Sequence, residues 1–165
     1  MGVWERRYYR VLNAVMRVLL RSPLHRLRSR RVLLLEFTGR RSGRRYRMPV
    51  SYWEREPGRI VCLTSATWSQ WWINLDEADV VLALRGGTRA GRAALVRDPR
   101  LRQTLVAGFL RHNAHDAKHY GVERDGAGRP LDHAVRALAE APETKVVDIR
   151  LTRWRPGPPG AEASP

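Results

Sequence analysis

Residues 31–53 read RVLLLEFTGRRSGRRYRMPVSYW. Two apolar runs, 31–38 and 45–53, flank a short connection with Gly39, Ser42 and Gly43 in it. The runs are rich in Val, Leu, Phe, Tyr and Trp, as strands are. The connection is too short for a crossover, so the two strands pair antiparallel. Five arginines (Arg40, Arg41, Arg44, Arg45 and Arg47) crowd the joint. Successive backbone N–H groups in a glycine-bearing turn make a concave anion site, and Ser42 adds a hydroxyl. Arginine forks match phosphate or carboxylate with two parallel bonds. Gly39 and Gly43 let the backbone come close. A basic hairpin tip in water is the plainer reading of the same residues. The turn is not a Walker loop: the Lys-Ser/Thr pair is missing and a strand follows instead of a helix.

Outward from this hairpin the short period of strands continues. EREPGR is a turn, IVCLTSA a third strand and SQWWINLDEA a short helix. DVVLALR, a GG turn and TRAGRAALV form a second hairpin. Asp98-Pro99 opens a helix reaching about residue 111, with aspartate at the cap and proline in the first turn. Residues 112–132 are polar and irregular, with a turn of helix expected at 115–120. Asp132 is the expected cap of a helix over 133–140, and TKVVDIRLTRW is the last strand. No βαβ alternation occurs, so a doubly wound sheet is excluded. The fold class is mainly β with helices (α+β), a small antiparallel barrel over 30–154. Pro49 needs a place where no ladder donor is required, an edge or a bulge. Residues 156–165, rich in Pro and Gly, read as a disordered tail.

The chain of 165 residues is long enough for one domain with a core of its own, and it carries a formal charge of +15. The charge is uneven: residues 1–50 hold 14 arginines against Glu5 and Glu36, a net of +12. A compositional preference for arginine, 29 against two lysines, does not choose the first third. Residues 1–22 form an amphipathic helix by pattern, with Trp4, Tyr8, Val11, Leu12, Val15, Met16 and Leu19 on one stripe and arginines elsewhere. Such a stripe packs on the domain or lies in a membrane interface, giving peripheral membrane contact through residues 3–21. No run is long enough to span a bilayer, and no secretion signal is read. The expected location is cytoplasmic, with the inner face of the membrane as its variant. Cys62 is the single cysteine, which excludes an intrachain disulfide, and its strand setting makes it a core thiol.

The pairing of GRRSG with the later WWINL resembles the deazaflavin-dependent nitroreductase and quinone reductase family, over about residues 30–98. That resemblance implies a split β-barrel, FMN-binding-like, holding coenzyme F420, a deazaflavin with a phosphodiester and an oligoglutamate tail. Under it Arg40, Arg41, Ser42, Gly43, Arg44 and Arg47 hold the phosphate and tail, Arg45 assisting. Pro49 and the backbone after it line the ring pocket, Ser65 and Ala66 approach the ring or its ribityl chain, and Trp71 and Trp72 wall the pocket. The implied activity is hydride transfer from reduced F420 to an apolar small-molecule acceptor such as a quinone or nitro compound. The stretch between Ser65 and Trp71 is shorter than in the nitroreductase members, so reduction of nitroimidazole drugs is not implied. The alternatives are the same barrel holding FMN or another flavin- or tetrapyrrole-like ligand, or a basic nucleic-acid- or membrane-binding protein without catalysis. No helix-turn-helix, finger or RNP-like motif supports nucleic acid, and none is assigned as a partner. Trp68, Trp71, Trp72 and Leu75 also fall on one helical face, the pattern of a packed core.

His112, His115 and His119 recur at helical spacing beside Asp116. A solvated polar face, or a hydrogen bond from His115, His119 or Tyr120 to substrate, are the readings open here. A metal lacks the remaining ligands, and none is assigned. The catalytic residue is unassigned, with His115, His119 and Tyr120 as candidates. Hydrolase, zinc-protease and dithiol motifs are absent.

Overall fold

The computed structural model describes residues 31–67, 69–85 and 87–155, with side chains described as far as Thr152. The expected helix over 1–22, the tail over 156–165 and Trp68 lie outside the described residues. Among the described residues six strands appear: β1 (Val32–Thr38), β2 (Arg45–Glu56), β3 (Arg59–Ser65), β4 (Ala78–Leu84), β5 (Gly87–Leu95) and β6 (Thr144–Arg155). They close into an antiparallel barrel in the order β1-β2-β3-β6-β5-β4, with β4 returning to β1. A 3₁₀ turn (Trp71–Asn74) joins β3 to β4. Three helices lie between β5 and β6: α1 (Pro99–His112), α2 (Ala114–His119) and α3 (Asp132–Glu140).

Alternation along each strand sorts the side chains into two cores. Leu33, Leu35 and Phe37 of β1 meet Val50 and Tyr52 of β2, Ile60 and Cys62 of β3, and Val147 and Ile149 of β6 inside the barrel. Ala93 fills the β5 wall there, and Gly91 takes the narrowest position. A Cβ on Gly91 would stand 2.9 Å from Ile149 Cγ2 and 3.0 Å from the Arg150 carbonyl, beside the bulge at Ala90/Gly91. The residues in between face outward. Val61, Leu63 and Val146 carry a second core, completed by Leu105, Val106, Phe109 and Leu110 of α1 with Ala117, Val135 and Ala139. Each fully buried large apolar side chain contributes about 1.5–3 kcal/mol. Trp53 of β2 reaches this layer, and only a glycine fits beneath it: a Cβ on Gly108 would lie 2.2 Å from the indole.

The helix starts divide the expectations. Asp98 caps α1, its carboxylate accepting the Leu101 N–H at 2.6 Å, with Pro99 in the first turn. Asp132 is not the cap of α3. The capping position belongs to Leu131, whose own N–H donates to the Glu123 carbonyl at 2.9 Å, and no side chain caps the helix. Asp132 sits in the first turn instead, where its charge suits the helix dipole. The two-residue β4–β5 connection places Arg85, a non-glycine, at φ 49°.

Candidate functional site

Thr38, Arg45, Ser65, Ala78, Leu95 and Thr144 all end or begin strands at the same rim of the barrel. The turn 39–44 sits on that rim. Gly39 donates to the Arg44 carbonyl at 2.8 Å, and Gly43 to the Gly39 carbonyl at 2.9 Å with φ +63°. The Ser42 hydroxyl accepts the Arg44 N–H at 3.3 Å and meets the Tyr46 hydroxyl at 3.2 Å. Tyr46 in turn stacks on Phe37 with ring centroids 5.5 Å apart. A Cβ on Gly39 would strike Tyr46 at 2.6 Å, so glycine is needed there. Ser42 therefore shapes the turn from within.

The arginines separate by job. Arg40 is bound to the scaffold: its N–H donates to Asn74 Oδ1 at 2.9 Å and its guanidinium to the Asp76 carbonyl. This ties the turn to the 3₁₀ segment that plugs the barrel. Arg45 and Arg47 lie on the outer face of β2 beside Glu36, which Arg45 approaches at 3.9 Å and which Arg47 opposes in register. Arg41, Arg44, Arg45 and Arg47 are exposed, and among the described residues Glu36 is the carboxylate that this run reaches.

Beside the turn the barrel is split. The β2–β3 register begins at Tyr52 opposite Cys62, so 45–51 pair with β1 alone. Tyr52 N–H donates to the Arg31 carbonyl at 2.9 Å. Main-chain direction alternates in an antiparallel strand. The groups of Tyr46, Met48 and Val50 therefore also point to β1, and those of Arg47, Pro49 and Ser51 point into the split. Pro49 has no N–H to lose, which explains proline within a strand. Across the split lie Leu63, Ser65 and Ala66. The Ser65 hydroxyl pairs with Thr67 Oγ1 at 2.7 Å, the Thr64 hydroxyl with Ser69 Oγ at 2.9 Å, and Ala66 N–H donates to the Glu143 carbonyl at 2.7 Å.

The tryptophans also separate. Trp71 is buried in the barrel interior with Leu75, a plug more than a wall. Trp72 is half-buried at the rim; its Nε1 donates to the Ser69 carbonyl at 3.1 Å, and Lys145 Nζ lies 4.9 Å from its ring centre. That ammonium also donates to the Pro142 carbonyl at 2.6 Å. On the same rim Asp76 binds Arg97 through two hydrogen bonds of 2.5 and 3.3 Å, which hold its carboxyl below the ordinary value, with the Leu95 N–H assisting.

The catalytic candidates differ in setting. His115 and His119 are exposed on α2, edge to face at 5.5 Å. Among the described residues no group of His, Cys, Asp and Glu is placed to hold a metal. Tyr120 is half-buried and its hydroxyl donates to the Leu63 carbonyl at 2.9 Å, at the split. Burial raises its pKa, with Asp116 adding to the rise, so the phenol keeps its proton at physiological pH. Cys62, inside the barrel, is pushed up to about 12 by burial and is an inert thiol. Sequence reading missed the Arg40 tie, the open edge at Ser51 and the Leu63 carbonyl. Only the proline at 49 signalled the edge.

A flat heteroaromatic ring with an anionic tail fits this donor set. The split offers main-chain groups on one edge, and the exposed arginines beside it offer charge.

No family model matches the chain, and no curated protein does. Solved structures do resemble it. A conserved hypothetical protein from Mycobacterium tuberculosis is 21% identical, with 79% of each chain covered and a TM-score of 0.54. A protein of unknown function from Agrobacterium tumefaciens is 14% identical, covering 83% of this chain and 57% of that one, with a TM-score of 0.52. A protein of the pyridoxinephosphate oxidase family from Clostridium acetobutylicum, related to general stress protein 26, is 9% identical, covering 77% and 79%, with a TM-score of 0.50. At such identities the likeness is one of fold: this chain shares the barrel-with-helices architecture of these structures.

Proposed function

We propose that the chain is an oxidoreductase that binds coenzyme F420 at the split between β2 and β3 and serves an apolar acceptor such as a quinone or nitro compound. The observation that carries this reading is the junction of two features at one rim. The arginine turn lies next to a strand edge whose main-chain groups are turned away from β1. A compact phosphate with a carboxylate tail suits a nest flanked by Arg41, Arg44 and Arg47. The planar head suits the edge at Arg47–Ser51, opposite Leu63–Ala66, with Trp72 at the rim. When bound, the deazaflavin supplies the hydride; the protein supplies orientation and electrostatics. The half-buried split excludes water from one side of the ring, and the guanidinium groups fix its tail. Tyr120 acts as a hydrogen-bond donor there. Its raised pKa makes it a poor proton source for product, so solvent or an exposed imidazole on α2 fills that role.

The second reading is FMN or another flavin-like ligand in the same place, favoured by the pyridoxinephosphate oxidase family name of the Clostridium structure. The membrane association expected through residues 3–21 is part of the first reading, because an apolar acceptor partitions into lipid. Among the described residues no helix is long and apolar enough to cross a membrane. Fluorescence titration of the protein with F420 and with FMN decides between the readings. Micromolar or tighter F420 binding that FMN does not displace is the expected result. FMN copurifying and resisting F420 would replace the first reading with the second, and millimolar binding of both would end each.

A further inference from the structure

The split needs a cause, because the register of β2 and β3 does not end for want of residues. Continuing the pairing beyond Tyr52 and Cys62 would set Ser51 against Leu63, and both belong to regular strands. Main-chain direction also agrees. Ala66 N–H bonds to Glu143 and Leu151 N–H to Gly58, so the alternate residues Val61, Leu63 and Ser65 turn their groups toward β2. The Leu63 carbonyl thus faces the Ser51 N–H position, and at that place it accepts the Tyr120 hydroxyl at 2.9 Å.

Tyr120 is delivered there by a rigid device. It is the C-cap of α2, and its own N–H returns to the Asp116 and Lys118 carbonyls. Gly121 follows at φ +64°, its N–H donating to Lys118 at 3.2 Å, while Val122 N–H donates to Ala117 at 3.1 Å. These are the two bonds of a Schellman helix end, and the apolar contact that goes with it is supplied by buried Ala117 and Val122. The ring itself packs against the outer core.

We propose that Tyr120 is a positioning residue that ends the β2–β3 ladder: its hydroxyl occupies the Leu63 carbonyl and leaves the Ser51 N–H directed into the split as a donor for a ligand. The ladder part stands on geometry alone; the ligand part rests on the F420 reading above. Tyr120 then acts on the cofactor through the strand edge, not by proton transfer.

Amide hydrogen exchange tests it. In the ligand-free wild-type chain Ser51 N–H should exchange freely while Tyr52 N–H, bonded to Arg31, is protected. Tyr120→Phe keeps the ring and releases the carbonyl, so Ser51 should slow by about tenfold as one more rung forms. General destabilisation would speed exchange, the opposite sign. A protected Ser51 in the wild-type chain, or no slowing in Tyr120→Phe, overturns the ladder claim whatever happens to binding. The wild-type measurement decides even where the variant fails to fold. Slowed Ser51 with F420 affinity down about tenfold supports both parts. Slowed Ser51 with unchanged affinity for F420 and FMN keeps the ladder stop and overturns the ligand part, and with it the placement of the site.

Discussion

The two halves of β2 are made of similar residues and live in different company. From Tyr52 onward the strand pairs with β3, is tied back to Arg31 by the Tyr52 N–H, and is roofed by α1, with Trp53 laid over Gly108. From Arg45 to Ser51 it pairs with β1 alone, carries Arg45 and Arg47 next to the arginine turn and borders the split. The closed half holds the fold together. The open half leaves a polar edge and a concentration of charge, which a folded domain keeps only where something binds or water serves. Separate substitutions should therefore damage stability and binding separately.

The largest effect is expected under the closed half. Phe109→Ala removes a fully buried ring from the outer core and should cost about 3–5 kcal/mol of stability. Chemical denaturation measures it. A loss below about 1 kcal/mol would mean that the helical layer is not what secures this half.

The next largest belongs to the open half. Arg41→Ala combined with Arg44→Ala should weaken F420 by about 3 kcal/mol, roughly a hundredfold, the low end for two charge-assisted contacts at exposed side chains. The denaturation midpoint should hold. Unchanged affinity would return the turn to a plain basic hairpin tip.

That separation was only partly legible in the sequence. The strand periods placed five strands within a residue or so and the start of β2, because alternation and turn residues are local signals; the end of β2 was missed, since Glu54–Glu56, read as part of a turn, continue the strand opposite Ile60 and Arg59. Asp98 with Pro99 marked the start of α1 for the same reason. Asp132 misled, because an aspartate before a helical stretch reads as a cap whichever side of the boundary it occupies; a main-chain bond from Leu131 to Glu123 set that boundary. The arginine run was legible as charge and not as division of labour. Arg40 is tied by partners 34 and 36 residues away, and Tyr120 reaches Leu63 across 57. Trp71 and Trp72 are adjacent and identical in type, yet one plugs the barrel and the other edges its rim. No periodic pattern distinguishes neighbours of that kind; closure of the barrel does.

Arg40→Ala sharpens the comparison inside the turn itself. It removes the bond to the Asp76 carbonyl and keeps the main-chain bond to Asn74. We expect a stability loss of about 0.5–1.5 kcal/mol with F420 affinity changed less than that of Arg41→Ala. An equal loss of affinity in the two variants would erase the division between scaffold and ligand arginines.

The smallest effect is a pH dependence at the same rim. Asp76 is held below its ordinary value chiefly by its hydrogen bonds to Arg97. A carboxyl depressed in the folded state adds stability that is present above its unfolded value, near 3.9 for an ordinary aspartate, and is lost as pH falls through the folded value. The wild-type melting temperature should therefore fall more steeply on acidification than that of Asp76→Asn, the two curves converging at the acid end. The Asp76 carbonyl that receives Arg40 is main chain and survives the substitution, so F420 affinity at neutral pH should stay near wild type. Parallel melting curves would remove Asp76 from the acid response, and a drop in affinity would show that the rim and the turn are one unit and not two.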